Sequence, residues 1–458
     1  MSDEQQLRSL LTLAAEPPDS VQAPVPALLT RARRRRTGRI AGSAAAGVAA
    51  VVLLAAGLPS LIGSPRGARQ PVTAPSGLFP PSRQSVASGP TAAQIARYRW
   101  SALPSSPLGP RTSPLLTWTG SELIEIGGPG PRGTSPLAAA AYTPATGHWH
   151  AIAPLPSGTA AGLWAKNGPA PVSVWTGHEL VVTSGSWGTP LPPRAEGAPV
   201  FLYDPVSNTW TTTSLPIRTQ ITPPPDLVAA WTGRDVVLAG VSSGHVQVAF
   251  YDPATGRWTA SDPAVPAGHP ARYVSLLAAG DRLILWSLWY TTGANPKYGA
   301  DVLALGPSGT WRNVTGTWPQ FQNPVTSPSY TGSEILMSPG QLWCGLCSHP
   351  PFAFPGYFAD PVTLHRTSIP AGPIGKSAPV YVWTGHAIIA IDAETEIGGP
   401  HGLTMRPGDA ALFDPAARRW QRLPAVPGHP YPASGAPLWT GTQLLYLATN
   451  GSLLTFRG

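Results

Sequence analysis

The chain has little of what thiol and metal chemistry needs. Only two of its 458 residues are cysteine, Cys344 and Cys347, set together in Trp343-Cys344-Gly345-Leu346-Cys347. A zinc site there would require two further ligands. His349 is adjacent, but no second Cys/His pair completes a pattern, so no metal is expected. The pair reads first as a short structural disulfide. A redox-active couple would favour a helix N-terminus and a thioredoxin-like setting, and neither is evident.

Charge is also scarce, at 11% of residues. The net +8 is carried mostly outside the long C-terminal part: +3 in residues 1–39, +3 in 63–96 and +2 in 97–458. That distribution excludes a broad basic face for nucleic acid. The HExxH pattern, a phosphate-cradling glycine loop and a GxSxG nucleophile elbow are all absent. No cofactor is expected, and an enzymatic role is the less favoured reading.

Glycine (49) and proline (57), by contrast, are abundant, and so are tryptophan (17) and tyrosine (12). The aromatics argue against disorder, and many short strands separated by Gly/Pro turns reconcile the two signals. A repeat confirms the pattern. Trp118–Gly120, Trp175–Gly177, Trp231–Gly233, Ala279–Gly280, Tyr330–Gly332, Trp383–Gly385 and Trp439–Gly441 each precede an apolar run. A later strand and turn follow, as in Tyr203-Asp204-Pro205…Trp210, Tyr251-Asp252-Pro253…Trp258 and Phe413-Asp414-Pro415…Trp420. A period of about 50 residues with four short strands per unit is that of a propeller blade. Gly in these turns supplies positive φ, Asp bonds the local backbone, and Trp packs between sheets.

Seven units are present, but the seventh runs out of chain after three strands. The segment Ala96–Leu103, with Trp100 placed like the closing tryptophans, supplies the missing outer strand. The expected fold is therefore all-β, a seven-bladed propeller over 96–458 whose N-terminal strand closes the last blade.

These motifs, with Gly127–Gly128 after the second strand of the first unit, resemble the Kelch-like, galactose-oxidase-central-domain type of β-propeller. That resemblance implies a fold able to host a copper-radical site, which would need Tyr and His ligands and a Cys crosslinked to a ligand Tyr. The only two cysteines fall in one inter-strand insert of unit five, so that site is not expected.

Residues Ile40–Ile62 carry no charge, and six arginines lie between Arg31 and Arg39. As a helix this run covers about 35 Å. The expectation is a cytoplasmic basic tail (1–39), one membrane span (40–62), a Pro/Ser/Gly-rich linker (63–95) and an extracytoplasmic propeller. A cleaved secretory signal is the rival. Weak helical segments at Glu4–Ala15 and Val25–Arg36 would lie on the bilayer surface or meet a cytoplasmic partner. The arginine-rich tail and single span resemble membrane-anchored actinobacterial proteins.

The repeated Asp204, Asp252, Asp360 and Asp414 are read as turn residues rather than catalytic carboxylates. The stretches that do not repeat are Gly127–Leu137, Ser184–Pro199, Trp286–Tyr298, Ser338–Pro355 and Glu394–Pro407. All join second to third strands and should gather on one face. Trp187, Trp289, Tyr290, Trp343 and Phe352 are its candidate ligand-binding aromatics, or else they cap the core. The expected function is a membrane-tethered binding, sensing or scaffold module for a protein or cell-envelope glycan. The alternative is a carbohydrate-active enzyme in the axial pocket. It would need two opposed carboxylates, for which Glu122, Glu125, Glu179, Glu196 and Glu394 are available.

Overall fold

The computed structural model describes residues 89–458, except 132–134, 158–162, 165–170, 184–197, 217–226, 243, 291–297, 316–327, 339, 342–352, 355, 375–378, 392–394, 397–403, 406–407 and 428–436. It contains seven four-stranded antiparallel sheets. In blades one to three the strands are consecutive: Leu115–Trp118, Leu123–Ile126, Ala139–Thr143 and His148–Ile152 form the first blade. In blades five and six a small two-stranded ribbon is inserted between the second and third strands.

The second strands show why the sequence runs are apolar without alternation. Leu123–Ile126, Leu180–Thr183, Ile388–Ile391 and Leu444–Leu447 are buried at every position. Each lies inside its sheet, and that sheet is covered on both faces by neighbouring blades, so neither side of the strand meets water. The outer strands, such as Arg257–Ser261 and Arg419–Leu423, are exposed or partly exposed at every position but the last.

Blade seven is completed as the counting predicts. Its sheet order places Arg99–Leu103 beside Leu453–Arg457, then Leu444–Leu447 and Leu438–Trp439. Trp100 pairs with Phe456 in register, and their rings are 5.0 Å apart. The ring closes where Leu123 and Tyr142 of blade one pack on Leu445, Leu447 and Leu453 of blade seven. The described residues begin before Ala96. A capped single turn, Ala92–Ile95, buries Ile95 completely against the core shared by blades six and seven.

The (Tyr/Phe)-Asp-Pro…Trp pattern resolves into a cross-strand aromatic pair around a turn. Tyr142–Trp149, Tyr203–Trp210, Tyr251–Trp258 and Phe413–Trp420 are register partners with ring centroids 4.9 to 5.4 Å apart. Each indole N–H then reaches out of its blade. Trp149 donates to Pro104 O, Trp210 to Ala153 O, Trp258 to Thr213 Oγ1, Trp311 to Ser261 Oγ and Trp420 to Pro370 O, at 2.7 to 3.2 Å. Trp100 does the same to Pro424 O at 2.9 Å, so the N-terminal strand makes the bridge that an outer strand makes elsewhere. Blade five closes with His365-Arg366 instead of Trp, and the Arg366 guanidinium lies 4.4 Å over the Tyr357 ring.

The seam between blades seven and one also holds a buried polar clasp. Ser106 donates to Glu125 Oε2 at 2.5 Å. The Arg111 side chain donates to the carbonyls of Leu108, Gly128 and Ser135. Backbone bonds from Ser106 to Gly451 and from Arg111 to Thr449 tie this connector to the last turn of blade seven. Glu125 is fully buried, and its Oε1 has no hydrogen-bond partner among the described residues. Burial raises its carboxyl to about 7, opposed by the Ser106 bond and the Arg111 charge.

The membrane assignment is corrected. Among the described residues no helix is long and apolar enough to cross a membrane. The 40–62 run, the 1–39 tail and the linker up to residue 88 lie outside the described residues. The single-pass topology, the lipid-bilayer partner, the tail partner and the extracytoplasmic location are therefore withdrawn.

Two outcomes follow for stability. Trp100→Phe keeps an aromatic ring but removes the N–H and part of the indole's packing, and should cost at least about 1 kcal/mol in chemical denaturation; an unchanged midpoint would remove the bridge from the account. For Glu125, the folded state holds its proton up to about pH 7, whereas an ordinary carboxyl releases it near 4.5. Stability from this group is therefore greatest below pH 4.5 and declines as pH rises to about 7, by at most about 3 kcal/mol. Glu125→Gln should gain on the parent protein between pH 5 and pH 8 in thermal melts, and a constant difference would refute the assignment.

Candidate functional site

The two ends of the blades differ in chemistry. At one end the first-to-second-strand turns of every blade except blade four follow the same rule. In Trp-Thr-Gly the threonine backbone N–H donates to the carbonyl three residues on, and its hydroxyl donates to that carbonyl and accepts from that residue's N–H. This occurs at Thr119/Glu122, Thr176/Glu179, Thr331/Glu334, Thr384/Ala387 and Thr440/Gln443. The third-to-fourth-strand turns lie at the same end. Asp204, Asp252, Asp360 and Asp414 each accept backbone N–H bonds two or three residues on. Those bonds hold the Asp204 and Asp360 carboxyls below the usual range, Asp204 helped first by the Ser207 hydroxyl. These four carboxylates serve the turns.

The opposite end carries the connections that do not repeat. Gly127 and Gly128 show its local constraint. Both have positive φ, and a Cβ on Gly127 would lie 2.2 Å from the Trp164 ring and 2.3 Å from Pro136 O. The double glycine is thus required by close approach as well as by backbone shape.

A second polar cluster lies at this end, on the shoulder between blades three and four. The turn Pro266-Ala267-Gly268-His269, closed by a His269 N–H to Pro266 O bond with Gly268 at φ +85°, leads into the inner strand Ala271–Ala279. Ala271 N–H bonds Gly244 O in the hairpin of blade three. His269 Nδ1 lies 3.1 Å from both oxygens of Asp301, on the third strand Tyr298–Leu305. The His269 ring is stacked on Trp289 of the second strand, with centroids 3.9 Å apart and planes at 15°. Trp289 in turn covers Gly299, where a Cβ would meet the indole at 2.7 Å. Asp301 is only 2% exposed. Burial raises its carboxyl, while the bond to His269 and its charge oppose the rise. A carboxylate only accepts, so Nδ1 carries a proton, and in the neutral form of the ring Nε2 is the acceptor.

The structure places the sequence candidates unequally. Trp289 and Tyr290 end the strand Arg282–Tyr290 rather than sitting in a loop, and Trp289 is half-buried. Trp187, Trp343, Phe352, Cys344 and Cys347 lie outside the described residues, as do Glu196 and Glu394, and the disulfide is not carried forward. Glu122, which accepts from Thr143, and Glu179 sit beside the Trp-Thr-Gly turns, whereas Glu125 lies in the seam clasp. The structure does not bring these three together as an opposed pair. Among the described residues no group of three or more His, Cys, Asp or Glu could hold a metal. Sequence reasoning missed His269 and Asp301. One signal was present: Ala264-Val265-Pro266-Ala267-Gly268-His269-Pro270 is echoed by Ala425-Val426-Pro427-Gly428-His429-Pro430, each between the last strand of one unit and the first of the next.

No family model matches this chain, and no curated protein matches it. Among solved structures, a catalytically inactive virginiamycin B lyase from Staphylococcus aureus with quinupristin is 10% identical, covering 79% of this chain and 100% of its own, at TM-score 0.45. The β-propeller domain of the Trilobed protease from Pyrococcus furiosus, described as having an open velcro topology, is 10% identical over 76% and 96%, at 0.42. YjhT is 12% identical over 71% and 100%, also at 0.42. None of these likenesses gives the chain a family, ligand or activity. The Kelch and galactose-oxidase membership and the actinobacterial-anchor likeness expected from the motifs are corrected to a seven-bladed β-propeller alone.

Proposed function

We propose that this propeller is a binding module that engages a protein or a glycan through the face where second strands pass to third strands. The observation that supports it is the division of labour between the two ends of the blades. One end repeats the same self-satisfied Thr and Asp turns. The sequence stretches between second and third strands, 127–137, 184–199, 286–298, 338–355 and 394–407, do not repeat. Sequence that departs from a repeat without improving its packing is where recognition is carried on a rigid scaffold. Trp187, Trp289, Tyr290, Trp343 and Phe352 come from those stretches and are its candidate contacts.

The test compares two sets of substitutions in the full chain. Trp187→Ala with Trp343→Ala alters the variable face, and Val206→Arg with Val362→Arg alters two exposed apolar residues of the turn face. Binding to a glycan array and to cross-linked protein partners should drop at least tenfold for the first pair and stay within twofold for the second. The reverse pattern would overturn the choice of face.

A further inference from the structure

We infer that the blade-three/blade-four shoulder is a saccharide subsite, with the imidazole of His269 as its platform and hydrogen-bond acceptor. The inference rests on the proposed binding face and names a ligand class for one part of it.

Three elements build the cluster: a connector, a second strand and a third strand. Asp301 is the positioning residue. Its buried carboxylate engages Nδ1 through both oxygens at 3.1 Å, fixing the ring's orientation and its tautomer. Trp289 backs one face of the imidazole, and the His269 side chain remains 34% exposed. What it offers outward is a flat face and Nε2, which has no partner among the described residues. Burying a carboxylate is costly, and an apolar residue at position 301 would fill the seam with less penalty. The arrangement is accounted for by a need to hold one imidazole in one orientation.

Two further polar atoms sit on the same face of this sheet. Ser287 is the cross-strand neighbour of Asp301, fully buried, and its hydroxyl has no partner among the described residues. The Trp289 indole N–H is likewise buried without an acceptor among the described residues. The cluster therefore combines an acceptor at the surface with unfilled donor capacity beneath it, which a bound water can join to a ligand.

This combination selects among ligand classes. An anion would face the Asp301 carboxylate directly behind the ring. A metal ion would need further ligands, and among the described residues no such group is present. A sugar hydroxyl both donates and accepts, and the apolar face of a pyranose packs on a flat ring. A neutral, polyhydroxylated ring is the chemistry that fits.

The experiment titrates soluble tetrasaccharides of N-acetylglucosamine, glucose and xylose into the full chain, followed by calorimetry and by the histidine ring protons in NMR. At least one should bind and shift the His269 signals. His269→Asn, whose amide N–H can still satisfy Asp301, should weaken that binding at least tenfold while leaving the melting temperature near that of the parent. Asp301→Asn should weaken it about fivefold by freeing the ring, and His178→Ala, on the turn face, should leave it unchanged. A saccharide that binds His269→Asn as tightly as the parent overturns the subsite, and loss of that binding in the Trp187→Ala/Trp343→Ala pair would then leave the face assignment standing. Failure of all three sugars to bind at millimolar concentration overturns the subsite as well. Failure of both faces to affect any partner overturns the broader reading.

Discussion

An indole N–H that leaves its own blade to bond the one before it is the contact on which this propeller depends. Sheets packed face to face are held by apolar burial, which is strong but not directional. A propeller must also fix the angle and register between neighbours, or seven small errors accumulate around the ring. The bridges from Trp100, Trp149, Trp210, Trp258, Trp311 and Trp420 supply that direction at the outer edge of the blades. Apart from Trp311, which pairs with Leu305, each tryptophan is held by an aromatic cross-strand partner, so the donor arrives already aimed.

Closure uses the same device and adds a second. Trp100 makes the N-terminal strand equivalent to an outer strand, and pairing with Leu453–Arg457 leaves no open edge between the two ends of the domain. The Glu125 clasp then fastens the connector to blade one. Its carboxyl is buried beside one hydroxyl and one guanidinium, and burial raises it.

The repeat was legible because each of its letters has a local cause. Threonine in Trp-Thr-Gly closes its own turn, glycine takes positive φ, aspartate caps the next turn, and tryptophan pairs across the strands. Blade four shows that the letters serve the turn and not the blade. It lacks Trp-Thr-Gly, yet Gly280-Asp281 closes a two-residue hairpin between longer strands. The site was much less legible. His269 lies 32 positions from Asp301, in a connector that resembles any Gly-Pro turn, and Trp289 looked like a loop aromatic because the strand runs longer in this blade. The hydrophobic run at 40–62 was equally plain as a sequence pattern, but a pattern that suits a membrane does not itself establish a span, and the described fold contains none.

By itself the sequence determined the number of blades, the order of their strands and the strand exchange that closes the ring. Those follow from turn chemistry and periodicity, which act over a few residues and recur often enough to be counted. Only the tertiary structure decided which titratable groups meet. Glu125 meets Ser106 and Arg111 because blade seven folds back on blade one, and His269 meets Asp301 and Trp289 because a connector crosses the shoulder of a sheet. Their burial sets their chemistry, and burial is a property of the closed ring rather than of any segment within it.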